Sequence, residues 1–128
     1  MIPIQPVQSA WSSILHTEAD GAGEVIRRTL SPSGGTIGRL HSCTFDLQAW
    51  SDAAPAAATM TIRVKLAVDG SNYRTLYEIV FTRGDAIMPQ FFDIPLGKRG
   101  LRFTTISSYP VTATIPVCLV RDNNVSES

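Results

Sequence analysis

From Thr59 to Phe81 the chain alternates apolar and polar side chains with a period of two. Met60, Ile62, Val64, Leu66 and Val68 interleave with Thr61, Arg63, Lys65 and Ala67. Successive strand side chains point to opposite faces, so this pattern predicts a strand with one dry and one wet face. Asp69-Gly70-Ser71-Asn72 then gathers four turn formers, and Tyr73, Tyr77, Ile79 and Phe81 return with Arg74 and Glu78 on the other parity. A β-hairpin is predicted, with a loop of about four residues.

Similar patterns recur on both sides of this hairpin. Glu24 to Leu30 reads as a strand and Ser31 to Gly35 as a loop; no Lys-Ser/Thr follows its Gly-Gly pair, so it is not a phosphate cradle. Thr36 to Trp50 reads as one long strand, with Leu40 out of phase with Cys43, Phe45 and Leu47. That mismatch predicts a bulge near His41-Ser42, where His41 is an edge or bulge residue rather than a ligand or base. Ser51 to Ala58 reads as a loop, because Pro55 interrupts any helix its alanines favour. Thr82-Arg83-Gly84-Asp85 is an ordinary turn that happens to spell Arg-Gly-Asp. Ala86 to Ile94 is a strand ended by Pro95, with Met88, Phe91, Phe92 and Ile94 expected in the core. A basic turn, Leu96-Gly97-Lys98-Arg99-Gly100, leads into a short strand over Leu101 to Ile106. Val111, Ala113, Ile115, Val117 and Leu119 alternate over the last strand, with Pro116 expected at an edge or bulge.

The first residues break this pattern. Pro3 and Pro6 impose extended geometry on a run holding Ile2, Ile4 and Val7 and no charge. Trp11, Ile14 and Leu15 suit a short helix, and Trp11, Ser13 and Leu15 suit a strand nearly as well. Two readings follow for this arm. It folds back as an edge strand of its own domain, or it reaches onto a neighbouring subunit with Ile2, Pro3, Ile4, Pro6, Val7 and Trp11 as contacts.

Seven or eight strands joined by short Gly/Pro/Ser turns predict an all-β fold, an antiparallel two-sheet β-sandwich with an extended N-terminal arm. A jelly roll is the preferred topology. The immunoglobulin alternative fails because Trp50 follows Cys43 too closely for the Cys…Trp…Cys framework. The expected divisions are an arm over 1–23, a sandwich over 24–121 and a polar tail over 122–128.

Composition narrows the partners. Eleven basic residues balance eleven acidic ones, which argues against specific nucleic-acid binding through bulk positive charge. The charged fraction of 17% is low beside 44% hydrophobic residues, so a surface partly covered in use is expected. Lys98 and Arg99 form the best basic spot for an acidic partner. No apolar run approaches a membrane span, and the opening residues carry no signal-peptide pattern, so use on the cytosolic side of a host is expected. Cys43 and Cys118 are expected to be buried free thiols. No metal or cofactor motif and no enzyme constellation is present, so no cofactor and no catalysis are expected.

The apolar arm MIPIQPV, the hairpin VKLAVDGSNY and the strand IPVCLVRDNN resemble those of the small jelly-roll head decoration, or cement, proteins of tailed bacteriophages. The resemblance implies a virion component, made in the host cytoplasm, that binds the outer surface of the major capsid protein shell and stiffens it. It also implies a homo-oligomer, a dimer or trimer. A second reading is a carbohydrate- or receptor-binding sandwich of a phage tail apparatus, with Trp11, Trp50, Tyr73 and Tyr109 as candidate stacking aromatics.

Overall fold

Two antiparallel sheets face each other in the computed structural model, which describes residues 4–8, 12–16, 24–33, 36–69, 72–84, 88–108 and 113–127. The strands are β1 (Pro6–Gln8), β2 (Ser12–His16), β3 (Val25–Pro32), β4 (Gly38–Phe45), β5 (Thr59–Ala67), β6 (Tyr73–Thr82), β7 (Gln90–Gly97), β8 (Leu101–Ser107), β9 (Ala113–Asp122) and β10 (Val125–Glu127). One short helix, α1 (Gln48–Ala53), separates β4 from β5. The first sheet runs β1-β9-β4-β7, with β2 also on β9; the second runs β10-β3-β8-β5-β6. Setting aside β1 and β10, the orders are β2-β9-β4-β7 and β3-β8-β5-β6. These are the two four-stranded sheets of a jelly roll.

The core follows the alternation along β5 as far as Leu66, while Val68, at the end of that run, is exposed at 52%. Met60, Ile62, Val64 and Leu66 of β5 point inward against Leu101 and Phe103 of β8, while Ile115, Val117 and Leu119 of β9 and Leu40, Cys43 and Phe45 of β4 line the opposite wall. Phe45 is the hub: its ring meets Phe103 edge-on at 5.7 Å and Phe91 at 6.5 Å. Cys43 and Cys118 are both buried thiols outside any disulfide, and burial pushes the Cys43 thiol well above its ordinary value.

Bulges explain where the period fails. The β4–β9 register shifts between Leu40 and Ser42, leaving His41 as the expected bulge residue, with its Nε2 2.7 Å from Asp122 Oδ1. In the hairpin, Val64 pairs with Tyr77 but Lys65 pairs with Thr75. Leu76 is the extra residue, and it moves Tyr73 to the outer face while Tyr77 keeps the inner one. Pro116 sits where β9 has run past its last β4 pair, Phe45–Val117, so its missing N–H breaks no bond of that ladder.

Several expectations are corrected. The strand over Thr36 to Trp50 ends at Phe45, and Trp50 lies on α1, fully buried. Asp46 Oδ1 accepts the Gln48 N–H at 3.0 Å just ahead of the helix, whose N-cap, Leu47, makes no side-chain bond, and Pro55 lies past its end, after a turn and a half has formed. Trp50 Nε1 donates to Ser107 Oγ, and its ring packs on Phe81 at 5.6 Å. Strand β3 runs on through Ser31 and Pro32, and β7 runs through Pro95 to Gly97. Of the residues expected in the core from β7 and the run before it, Met88 and Phe92 are exposed, at 42% and 60%. Adjacent strand residues face opposite ways, so Phe91 and Phe92 cannot both be inside. The polar tail holds β10, which pairs with β3 and buries Val125.

The stretch read as an arm is strand-paired within its own chain. Pro6, Val7 and Gln8 lie opposite Asp122, Arg121 and Val120, and β2 continues along the same edge of β9. The fold-back reading therefore describes 6–8 and 12–16. Ile2, Pro3, Trp11, Asp85 and Tyr109 lie outside the described residues.

Candidate interaction surfaces

Strands β6 and β7 are the outermost strands of their sheets, and both lie on the same side of the sandwich. Among the described residues, no strand bridges them. A slot of about 290 Å³ there is lined by Tyr77, Glu78, Ile79, Gln90, Phe91 and Phe92. Tyr77 and Phe91 face each other across it, ring centroids 6.2 Å apart. Phe92 pairs with Ser42 and points out of the first sheet, while Leu76 and Val80 are exposed at 45% and 56% along β6. Tyr77 and Phe92 thus expose ring surface at the slot, beside strand edges that pair with no other described strand.

The two edges differ as hydrogen-bonding templates. Strand β7 carries Pro95, which lacks an N–H, and Asp93 in the left-handed region at φ 59°. Both features blunt an edge. The ten residues of β6 contain no proline. Its one irregularity is the bulge at Leu76, which leaves Tyr77 to Thr82 regular.

A second concavity, of about 380 Å³, opens at the end of the other sheet, where the β5–β6 loop meets the β7–β8 turn. Tyr73, Val68 and Pro32 give it apolar walls, and Ser31, Lys98 and Arg99 add polar groups. Its frame is tied by backbone bonds: Ala67 N–H donates to Gly100 O at 2.9 Å, Val68 N–H to Asn72 O, and Arg99 N–H to Leu96 O. Gly97 makes the turn with φ 64°. Gly100 is needed for a different reason, since a Cβ there would lie 2.9 Å from the Tyr73 hydroxyl. Arg102 stacks on the Tyr73 ring with its guanidinium carbon 3.8 Å from the centroid. Asp69, also on the wall, accepts the N–H and side-chain amide of Asn72. Among the described residues, neither Lys98 nor Arg99 has a carboxylate within ion-pair distance.

Charges elsewhere on that outer face are satisfied. Glu24 bridges Lys65 and Arg63, and Arg63 Nε also meets Glu78 Oε2 at 2.7 Å. Partial burial opposes ionisation of Glu24, but the contacts with Lys65 and Arg63 prevail and hold its carboxyl below the ordinary range. No group of three or more potential metal-ligating side chains converges among the described residues. No helix there is long and apolar enough to cross a membrane.

Lys98 and Arg99 thus sit together on the cleft, joined by Tyr73 from the list of candidate stacking aromatics. Ile4 and Val7 lie elsewhere, exposed at 57% and 38% beside β9. Trp50 cannot stack on a ligand, because it is in the core. Tyr77 and Phe92 were not singled out as contacts from sequence. The Phe91-Phe92 pair held the signal, since one of two neighbouring strand aromatics must point outward.

No protein-family model matches the chain, and no curated protein sequence matches it. Among solved structures, the chain is similar to the Yersinia pseudotuberculosis-derived mitogen, with a TM-score of 0.54 and 14% identity over 90% of this chain and 86% of that one. A looser match is TmCBM61 in complex with β-1,4-galactotriose, with a TM-score of 0.36 and 8% identity over 98% of this chain and 88% of that one. The first shows a shared β-sandwich fold; the second superposes too loosely to add to it.

Proposed function

We propose that this protein works by docking rather than by catalysis, and that it is a structural protein of a phage head bound to the outside of the capsid shell. The observation that carries the docking reading is the aromatic slot between β6 and β7. Tyr77 and Phe92, over the buried ring of Phe91, supply the large, stiff side chains that dominate binding energy when desolvated. Beside them Tyr77 to Phe81 of β6, which pair with β5 alone among the described strands, offer their outer backbone groups to an extended segment of the major capsid protein, which would add as a further strand. Many symmetric copies would then multiply a modest affinity by avidity. In such an assembly Ile4 and Val7 are the arm's contacts to a second copy in a dimer or trimer. The resemblance of the arm, hairpin and last strand to head decoration proteins supports the choice of partner.

Co-sedimentation of the purified protein with expanded heads tests the reading. Binding that raises the heat resistance of the shells, and that Phe92→Asp removes, is expected. A protein that neither binds shells nor protects them would overturn the capsid assignment.

A further inference from the structure

The cleft at the Tyr73 end of β6 lies outside the slot lined by Tyr77, Phe91 and Phe92, and its chemistry is different. We infer that it is a binding site for a carboxylated saccharide. Its size lies within the range of small-ligand pockets, about 300–1,000 Å³. A sugar ring has an apolar C–H face and an equatorial belt of hydroxyls, and both find counterparts here. Tyr73, Pro32 and Val68 offer apolar surface, and Ser31 offers a hydroxyl.

Charge selects the acidic member of that class. Lys98 and Arg99 lie on the wall without a carboxylate partner among the described residues, unlike Arg63 and Lys65 on the same sheet, which Glu24 and Glu78 neutralise. The opposing carboxylate, Asp69, accepts hydrogen bonds from Asn72 within its own loop. Arg102 adds a further positive charge behind Tyr73, and its buried Nε has no hydrogen-bond partner. A ligand carboxylate entering beside Lys98 and Arg99 would meet net positive potential without displacing an existing ion pair. The backbone bonds from Ala67 to Gly100 and from Arg99 to Leu96 fix the end of β5 beside the turn that carries Lys98 and Arg99.

Titration of the isotope-labelled full chain with 3′-sialyllactose and with trigalacturonate, against lactose and inorganic phosphate, tests this by amide shifts. At least one acidic saccharide is expected to shift the amides of Ala67–Asp69 and Lys98–Gly100, and to bind at least tenfold more tightly than lactose or phosphate. The double variant Lys98→Gln, Arg99→Gln should keep the native spectrum and lose at least tenfold in that affinity. Tyr73→Leu should weaken the saccharide while leaving any phosphate response unchanged. Equal binding of lactose, equal binding of phosphate, or no localised shift with either acidic sugar would overturn the inference. Shell docking by the Lys98/Arg99 variant should be unchanged, so this result and the docking reading fail separately.

Discussion

The two long sides of the sandwich solve the same problem in opposite ways. On one side the outermost strands are short: β1 has 3 residues, β2 has 5 and β10 has 3. Polar groups tie that side down, between the sheets and within each. Arg121 of β9 donates to Val125 O at 2.6 Å, Arg28 of β3 meets Glu127 at 3.2 Å, and Asn123 N–H donates to Gln5 O. On the other side two longer strands stand apart with Tyr77, Phe91 and Phe92 between them. Short strands and ion pairs are how sheets avoid joining other sheets. A long edge flanked by aromatics invites a partner. The asymmetry separates a side closed by short strands and polar bonds from one bounded by two long outermost strands.

The comparison breaks most severely if the open side is poorly packed beneath its surface. Phe45→Ala, directly behind the slot, should cost about 3–5 kcal/mol in urea unfolding, as for other buried aromatics. A smaller loss would mean that the open side is loose rather than shaped. Phe92→Asp should leave stability within about 0.5 kcal/mol yet weaken shell binding at least tenfold, about 1.4 kcal/mol. Equal losses in both measurements would erase the distinction between core and contact.

The closed side has its own test. A Cβ on Gly38 would lie 2.5 Å from a Val125 methyl, which a β-branched side chain cannot easily withdraw. Gly38→Ala should therefore destabilise by about 1–3 kcal/mol, and Val125→Ala added to it should restore part of that loss. Simple additivity would show that β10 does not seal this side. Deleting residues 1–8 should cost about 1 kcal/mol and preserve a single cooperative transition. If Ile4 and Val7 meet a second copy, the deletion should also lower oligomer mass in sedimentation.

The smallest effect concerns pH. Because the folded-state carboxyl of Glu24 lies below its ordinary value, its contribution is present above about pH 4.3 and fades as pH falls through the lower folded value. Glu24→Gln should lower stability near neutral pH and flatten that part of the acid limb. An unchanged limb in acid titration of unfolding would show that the Glu24–Lys65–Arg63 cluster is idle.

How much of this was legible beforehand depends on how local its cause is. The β5–β6 hairpin, the inward set Met60, Ile62, Val64 and Leu66, the bulge at His41 and the all-β class follow from period-two alternation and turn residues, which neighbouring side chains set among themselves. Trp50 was misplaced because a short helix carries no period that distinguishes it from the end of a strand. What holds it is Phe81 and Ser107, far along the chain. Tyr73 and Tyr77 share a parity in sequence, and only the extra residue at Leu76 sends them to opposite faces. Likewise, the choice of Phe91 for the core and Phe92 for the surface was made by the register of β7 on β4, Phe91 opposite Cys43 and Phe92 opposite Ser42. The sequence by itself determined which stretches are strands with a dry face. Only the tertiary structure decided which edges stay open and which residues meet at the cleft, because both depend on pairings between residues that lie far apart in the chain.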